Sequence, residues 1–386
     1  MGADRLRVMQ VLEASVGGTR HYLLDLAYNL PAEHFEQHAV VSTLRDPAFA
    51  EDIQRMRAAG VQVTEVPMRR NISPRSDWEC YRQIRRIIGQ WRPQVIHSHS
   101  SKAGFLARMA ARSARCANLY TPHCFAFQMR VGQRKQWMYR TLERLAGRHT
   151  DWLVLPCESQ RQIALEARVV PPEKIAIIAT GVRPGDYQSE AEAYEVRERL
   201  GVAESCLALG TVAALTPQKG HGYLLDAFAE ASRDTEAVLL LAGTGEEYAA
   251  LVEQAEGLGI AGKVRFLGQR DDVGDVLRAL DVFVLPSLWE GLPYGLLEAM
   301  AAGVPVVTTD IPGNADLIDG RTNGWLAAPA SAGSLATALR EAMSDAAERA
   351  RRASAAKQLV ETHYTLDGMI AGYAELYARV GAPYRE

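Results

Sequence analysis

Short apolar runs alternate with helical spacings along almost the whole chain, and halfway through the series begins again. The first half reads LRVMQVLEA as a strand, TRHYLLDLAYNL as a helix and EQHAVVST as a strand. It continues with a helix at AFAEDIQRMRAAG, the strands QVTEVPM, PQVIHSHS, NLYTPH and DWLVLPC, and helices between them near residues 77–91, 102–114 and 133–149. From Cys206 the pattern restarts with CLALGTVAAL, GYLLDAFAEAS, AVLLLAG and EYAALVEQAEGLG. It then runs through KVRFLG, VGDVLRAL, DVFVLPS, GLLEAMAAG, PVVTTD and GWLAAP. Unbroken apolar strands separated by helices build a parallel sheet covered on both faces. Two such series predict an α/β chain of two Rossmann-like domains facing a cleft, with ligands held at the C-terminal ends of strands. Gly181–Gly185 is the expected junction, and the last 24 residues form a separate helix with an aromatic stripe.

Composition narrows the function classes. The five cysteines, at 80, 116, 124, 157 and 206, are scattered, without CxxC spacing, and predict reduced thiols in a cytoplasmic protein. No run is long and apolar enough to span a bilayer. The net charge is only −3, yet residues 1–180 hold 26 Lys and Arg against 16 Asp and Glu, and residues 69–148 hold 17 against 3. A basic half on a nearly neutral chain points to an anionic partner for that half. An anionic membrane surface and nucleic acid both fit, as do two ordinary helices with solvated arginine faces. In YRQIRRIIGQW and RKQWMYRTLERLAGRH the spacing puts Ile84, Ile87 and Ile88, or Trp137, Leu142 and Leu145, on one side of a helix.

Four loops carry candidate chemistry. In EASVGGTRHYLL a strand ends, Gly17 and Gly18 turn, and a helix is expected from Thr19, so backbone N–H groups face an anion there or the glycines simply make a tight turn. This is not GxGxxG, which disfavours a nicotinamide-dependent dehydrogenase. Lys219, in LTPQKG, follows a strand and precedes a helix, where it reaches a diphosphate or stands in solvent. Gly243 and Gly245 of AGTGEE leave room for a flat ring or a phosphate. In PSLWEGLPYGLLEAMAAGVPVV, Glu290 precedes a helix and Glu298 lies inside it. A carboxylate accepts two hydrogen bonds from a vicinal diol, so two of them suit a hexose and a ribose joined by a diphosphate. There is no Asp-x-Asp. His97 and His99 share one side of a strand end, but no carboxylate or cysteine nearby completes a metal site, so they read as structural.

The stretch PSLWEGLPYGLLEAMAAGVPVVTTDIPGNADLI resembles the Glu-x7-Glu signature of retaining glycosyltransferases of the GT-B fold, family 4. LTPQKG, FLGQRDDV and GVRPGDY resemble further blocks of that family in order, and VGGTRHYLLDLA, VIHSHSSKAGFLARMAA and YTPHCFAF resemble members that build bacterial exopolysaccharide and capsule. The resemblance implies an acceptor-binding domain over 1–182, a nucleotide-sugar domain over 183–362, and a helix over 363–386 crossing back to the first. It implies transfer of a sugar from a UDP or GDP sugar to a hydroxyl acceptor with retention, no cofactor and no metal. A polyprenyl-linked glycan at the inner membrane face is the implied acceptor, and no nucleic acid is expected. A small natural product is the other acceptor class, and an epimerase of the same fold is the other activity. Carried onto this sequence, Glu298 accepts from the ribose, and Glu290 with the backbone of Gly291 and Leu292 holds the donor sugar. Lys219 neutralises the diphosphate, Gly17 and Gly18 close on it, His123 stands beside the sugar, and Gly245 and Arg270 border the nucleotide. Two positions depart from the pattern. Ala214 stands where the family has an arginine, with Arg20 a candidate replacement, and Cys124 follows His123 in place of glycine.

Overall fold

The computed structural model describes residues 5–188 and 191–384, so the extreme ends of the expected first domain and terminal helix lie outside the described residues. The chain forms two compact units, one of residues 1–179 with 367–386 and the other of residues 180–366.

The first unit is built on seven parallel strands: β1 Leu6–Leu12, β2 Phe35–Val41, β3 Gln62–Glu65, β4 Val95–His99, β5 Ala117–Thr121, β6 Trp152–Leu155 and β7 Ile175–Ile177. Their order across the sheet is β3-β2-β1-β4-β5-β6-β7. The winding reverses between β1 and β4, whose registers pair Val8 with Val95 through Leu12 with His99. β1, β4 and β5 are buried almost throughout because helices cover both faces, which is why they read as continuous apolar runs. One layer packs Ile84 and Ile88 of helix Pro74–Trp91 and Leu106 of helix Ser101–Ala111 against Met9, Val11 and Ile96. The terminal helix Leu366–Gly381 belongs to this unit except for its first residue. Its buried Leu366, Met369, Tyr373, Leu376 and Tyr377 recur at the spacing of one helix face.

The second unit repeats the plan with β8 Leu207–Val212, β9 Ala237–Ala242, β10 Val264–Gly268, β11 Val282–Leu285, β12 Val306–Thr309 and β13 Trp325–Ala327, ordered β10-β9-β8-β11-β12-β13. Its winding reverses between β8 and β11. The segments that enter and leave this unit pair with each other, Val182 N–H donating to Tyr364 O and Leu366 N–H to Val182 O. No helix among the described residues is long and apolar enough to cross a membrane.

One helix turns a charged side chain inward and large apolar ones outward. In Gln133–Gly147 the inward residues are Glu143, Ala146 and Gly147, while Trp137 and Leu145 are 70% and 41% exposed. The cause is polar. Glu143 accepts from Arg108 Nη2 at 2.7 Å and from Tyr120 OH at 2.9 Å, and the Arg108 guanidinium lies 3.7 Å from the Tyr120 ring centroid. A buried charge pair of this kind must be satisfied before an apolar stripe can choose its side.

Candidate active site

In the second unit the chain leaves β8 and β11 side by side, at the point where the winding reverses, and both exits carry candidate residues. Leu288 N–H donates to Gln218 O at 2.8 Å, which stitches the loop after β11 to the loop after β8. Across this seam Lys219 Nζ reaches Glu290 Oε1 at 2.5 Å. Ser287 Oγ donates to the same oxygen at 2.7 Å and Gln218 Nε2 donates to Oε2 at 3.3 Å. Glu290 is only 6% exposed, so these donors replace the water it would otherwise hold. Sequence reading found Lys219 and Glu290 but gave no reason to pair them, and it passed over Gln218 and Ser287, although both stand inside the motifs that it quoted.

Glu298 lies in helix Tyr294–Ala301 and is 5% exposed. It accepts from Tyr187 OH at 3.3 Å, so the GVRPGDY block contributes a side chain to the same helix. Gly291 and Leu292 lead into that helix. Gly313 presses on them: it sits at φ +89°, and a Cβ there would stand 2.1 Å from Gly291 O. The room at Gly243 and Gly245 is filled by the protein's own backbone, because a Cβ at either would stand 2.0 Å from Ala213 O or 2.2 Å from Leu215 O. Arg270 is held by Asp272 at 2.7 and 2.5 Å and lines a surface hollow with Val196, Arg199 and Asp275. No hydrogen bond among the described residues joins it to the Lys219–Glu290 cluster.

In the first unit Gly17 and Gly18 are exposed and themselves open helix Gly17–Asn29, two residues earlier than expected. Arg20 is already engaged, with Asp46 at 2.8 Å and Asp52 at 2.5 Å.

His123 has φ +60°, a backbone region that costs a non-glycine residue about 1–3 kcal/mol. A polar chain supports it. Gln10 Nε2 donates to Tyr377 OH, and Gln10 Oε1 faces His99 Nε2 at 2.8 Å. His99 Nε2 therefore carries the proton, His99 Nδ1 is bare, and His123 Nε2 donates to it at 3.3 Å. The same accounting gives His97 a bare Nδ1 facing Tyr377 OH at 2.6 Å and a protonated Nε2 facing Thr121 at 2.8 Å. Burial pushes all three rings down, His123 to about 3 and His97 and His99 well below their ordinary value, so they are neutral at pH 7. His97 and His99 thus serve Tyr377, Thr121 and Gln10, and among the described residues no three His, Cys, Asp or Glu cluster as metal ligands.

Two family models match the chain, one for glycosyl transferases group 1 over residues 194–359 and one for a glycosyl transferase 4-like domain over residues 17–181. The chain is 31% identical over 264 residues to the UDP-Gal:α-D-GlcNAc-diphosphoundecaprenol α-1,3-galactosyltransferase of Escherichia coli, covering 67% of this chain and 68% of that protein. It is 28% identical over 299 residues to the glycogen synthase of Mycobacterium tuberculosis, covering 74% and 69%. Among solved structures, Anabaena HepE in complex with UDP and glucose superimposes with a TM-score of 0.82 at 20% identity over 97% of this chain and 100% of that one. The sucrose-phosphate synthase of Thermosynechococcus elongatus gives 0.83 at 17% identity over 98% and 100%. At such identities the likeness speaks for the fold, and the fold is GT-B.

Proposed function

This chain belongs to the group 1 glycosyltransferases, and we propose that it moves a sugar from a UDP or GDP sugar to a hydroxyl of a polyprenyl-diphosphate-linked glycan, with retention, in bacterial surface-polysaccharide synthesis. The observation that carries the reading is the Lys219–Glu290–Ser287–Gln218 cluster at the winding reversal of the second sheet, where ligands of open α/β sheets bind. A donor replaces the internal ion pair. Its diphosphate takes Lys219 Nζ, and its sugar hydroxyls donate to Glu290. Glu298, steadied by Tyr187, accepts from the ribose hydroxyls. Gly291 and Leu292 offer backbone N–H groups beside the sugar.

In this reading the bond between the anomeric carbon and the diphosphate oxygen breaks. The acceptor oxygen bonds to the same face of that carbon, and its proton passes to the leaving phosphate. Stabilising charge on that phosphate is the protein's main contribution, and Lys219 with the helix N-termini supplies it, so no metal ion is assigned a part. The resemblance to a transferase acting on a diphosphoundecaprenol substrate supports the acceptor class. Helix Gln133–Gly147 supports a membrane-surface partner, since Arg134, Trp137 and Leu145, with Arg148 just past the helix end, are exposed basic and apolar side chains at the spacing of one face.

Calorimetric titration with UDP, GDP, ADP and dTDP, without added metal, tests the donor site. Binding of one nucleotide that is lost in Lys219→Ala and Glu298→Ala is the expected result, and absence of binding to all four refutes the donor assignment. Transfer to a diphosphate-linked acceptor, with the anomeric configuration of the product read by NMR, then decides retention.

A further inference from the structure

The first sheet has its own winding reversal, between β1 and β4, and a carboxylate stands there that the donor chemistry does not use. Glu13 follows β1 directly and is 3% exposed. Ser100 follows β4, holds φ +66°, and brings its hydroxyl to 3.5 Å from Glu13 Oε2. Glu13 Oε1 accepts no hydrogen bond among the described residues. Arg45, a quarter exposed, forms a long ion pair with that oxygen at 3.7 Å, beyond hydrogen-bond reach. Arg70 and Lys102 add positive potential, Lys102 being held by Asp77 at 2.6 Å. Burial nevertheless raises the Glu13 carboxyl above its ordinary value, against the pull of Arg45, Lys102 and Arg70 and the Ser100 hydroxyl.

The same unit shows what a structural carboxylate looks like. Glu143 is as deeply buried, and both its oxygens are taken, by Arg108 at 2.7 Å and Tyr120 at 2.9 Å. A buried carboxylate oxygen left without a donor is costly and persists where something else supplies the donor. The second sheet carries a carboxylate and a cation, Glu290 and Lys219, at the corresponding reversal.

We propose that Glu13, with Ser100 and Arg45, forms the site for the acceptor, Glu13 Oε1 accepting from a hydroxyl of its terminal sugar while Arg45 swings out towards the diphosphate that carries that sugar. The proposal rests on the reading of this chain as a transferase with a diphosphate-linked acceptor. It predicts that the site distinguishes a sugar from a bare lipid diphosphate.

The probes are undecyl diphosphates carrying N-acetylglucosamine, glucose or galactose, with undecyl diphosphate alone as reference, titrated into the full chain with and without UDP. The wild type is expected to bind at least one sugar conjugate more tightly than the reference. Glu13→Gln is expected to weaken that conjugate about 10- to 150-fold, the effect of losing a hydrogen bond to a charged group, and to leave the reference unchanged. Arg45→Ala is expected to weaken both. Glu13→Asp keeps the charge but withdraws it by one methylene; it should weaken the conjugate too, and it serves where the Gln variant does not fold. Wild-type binding of every conjugate no tighter than the reference overturns the proposal. So does a conjugate affinity unchanged in both Glu13 variants. UDP binding is scored separately, so failure of the nucleotide site refutes the donor reading while the sugar titrations still decide Glu13.

Discussion

Acid should unfold the first unit before the second. His21, His38, His97, His99 and His123 all lie in the first unit with their rings pushed down by burial, His38 to about 4 and His123 to about 3. The second unit has one such ring, His221, at about 4. A folded-state value below the unfolded one means that the unfolded chain binds more protons. Stability is therefore whole above about pH 6.5 and falls as pH drops from there towards the folded values. At pH 5 a ring whose folded value is about 3 or 4 costs about 2 kcal/mol, so His38 and His123 alone remove about 4 kcal/mol from the first unit, against about 2 from His221 in the second, and the other depressed rings of the first unit act in the same direction. The larger figure is a large fraction of the whole stability of an ordinary domain, about 5–15 kcal/mol. Glu13 acts in the opposite sense, because its raised carboxyl takes up a proton earlier in the folded state, but it is one group against five. Hydrogen exchange between pH 7.5 and 4.5, corrected for intrinsic rates, should show amides of β1, β4 and β5 losing protection while β8, β9 and β11 keep theirs. His38→Gln should move the first transition to lower pH. Simultaneous loss in the two sheets, or a first sheet still protected at pH 4.5, refutes the reasoning.

Three further outcomes follow from particular contacts. Glu143→Gln leaves the Arg108 charge buried beside a neutral partner and should cost about 3–5 kcal/mol, read as a fall in the first unit's melting transition of roughly 6–20 °C. Gly313→Ala drives a methyl group into Gly291 O, so the Glu290–Leu292 backbone must shift; the variant should raise the donor KM at least about tenfold and lower the second unit's melting point, and an unchanged KM would separate that backbone from donor binding. Nitrogen-15 spectra at pH 7 should show His123 neutral with its proton on Nε2 and with Nδ1 bare, and a proton on Nδ1 instead would reverse the polar chain from Gln10.

Much of the architecture was legible because it is local. Apolar runs without alternation, each followed by helical spacing, specify parallel strands buried on both faces, and a second series specifies a second sheet. Glu290 and Glu298 were legible for the same reason, since a turn of Gly and Pro before an apolar helix fixes one carboxylate ahead of the helix and one within it. In helix Gln133–Gly147 the spacing put Trp137, Leu142 and Leu145 on one side but could not say which side faces the interior. Glu143 claims that interior through Arg108, which is 35 residues away and whose position no local pattern encodes.

By itself, then, the sequence determined the two-sheet plan, the loops that leave the strands, and the kinds of side chain those loops carry. Which of those side chains meet was decided by strand order. Lys219 and Glu290 touch because β8 lies beside β11, and Glu13 meets Ser100 because β1 lies beside β4. Tyr377 reaches His97 across 280 residues because the terminal helix returns to the first sheet. Arg20 is bound by Asp46 and Asp52 for a like reason, and the glycines of AGTGEE face backbone instead of open space. Residue spacing records a period along one element. Partners on different elements are set by how the buried faces pack together, and that is a property of the whole fold.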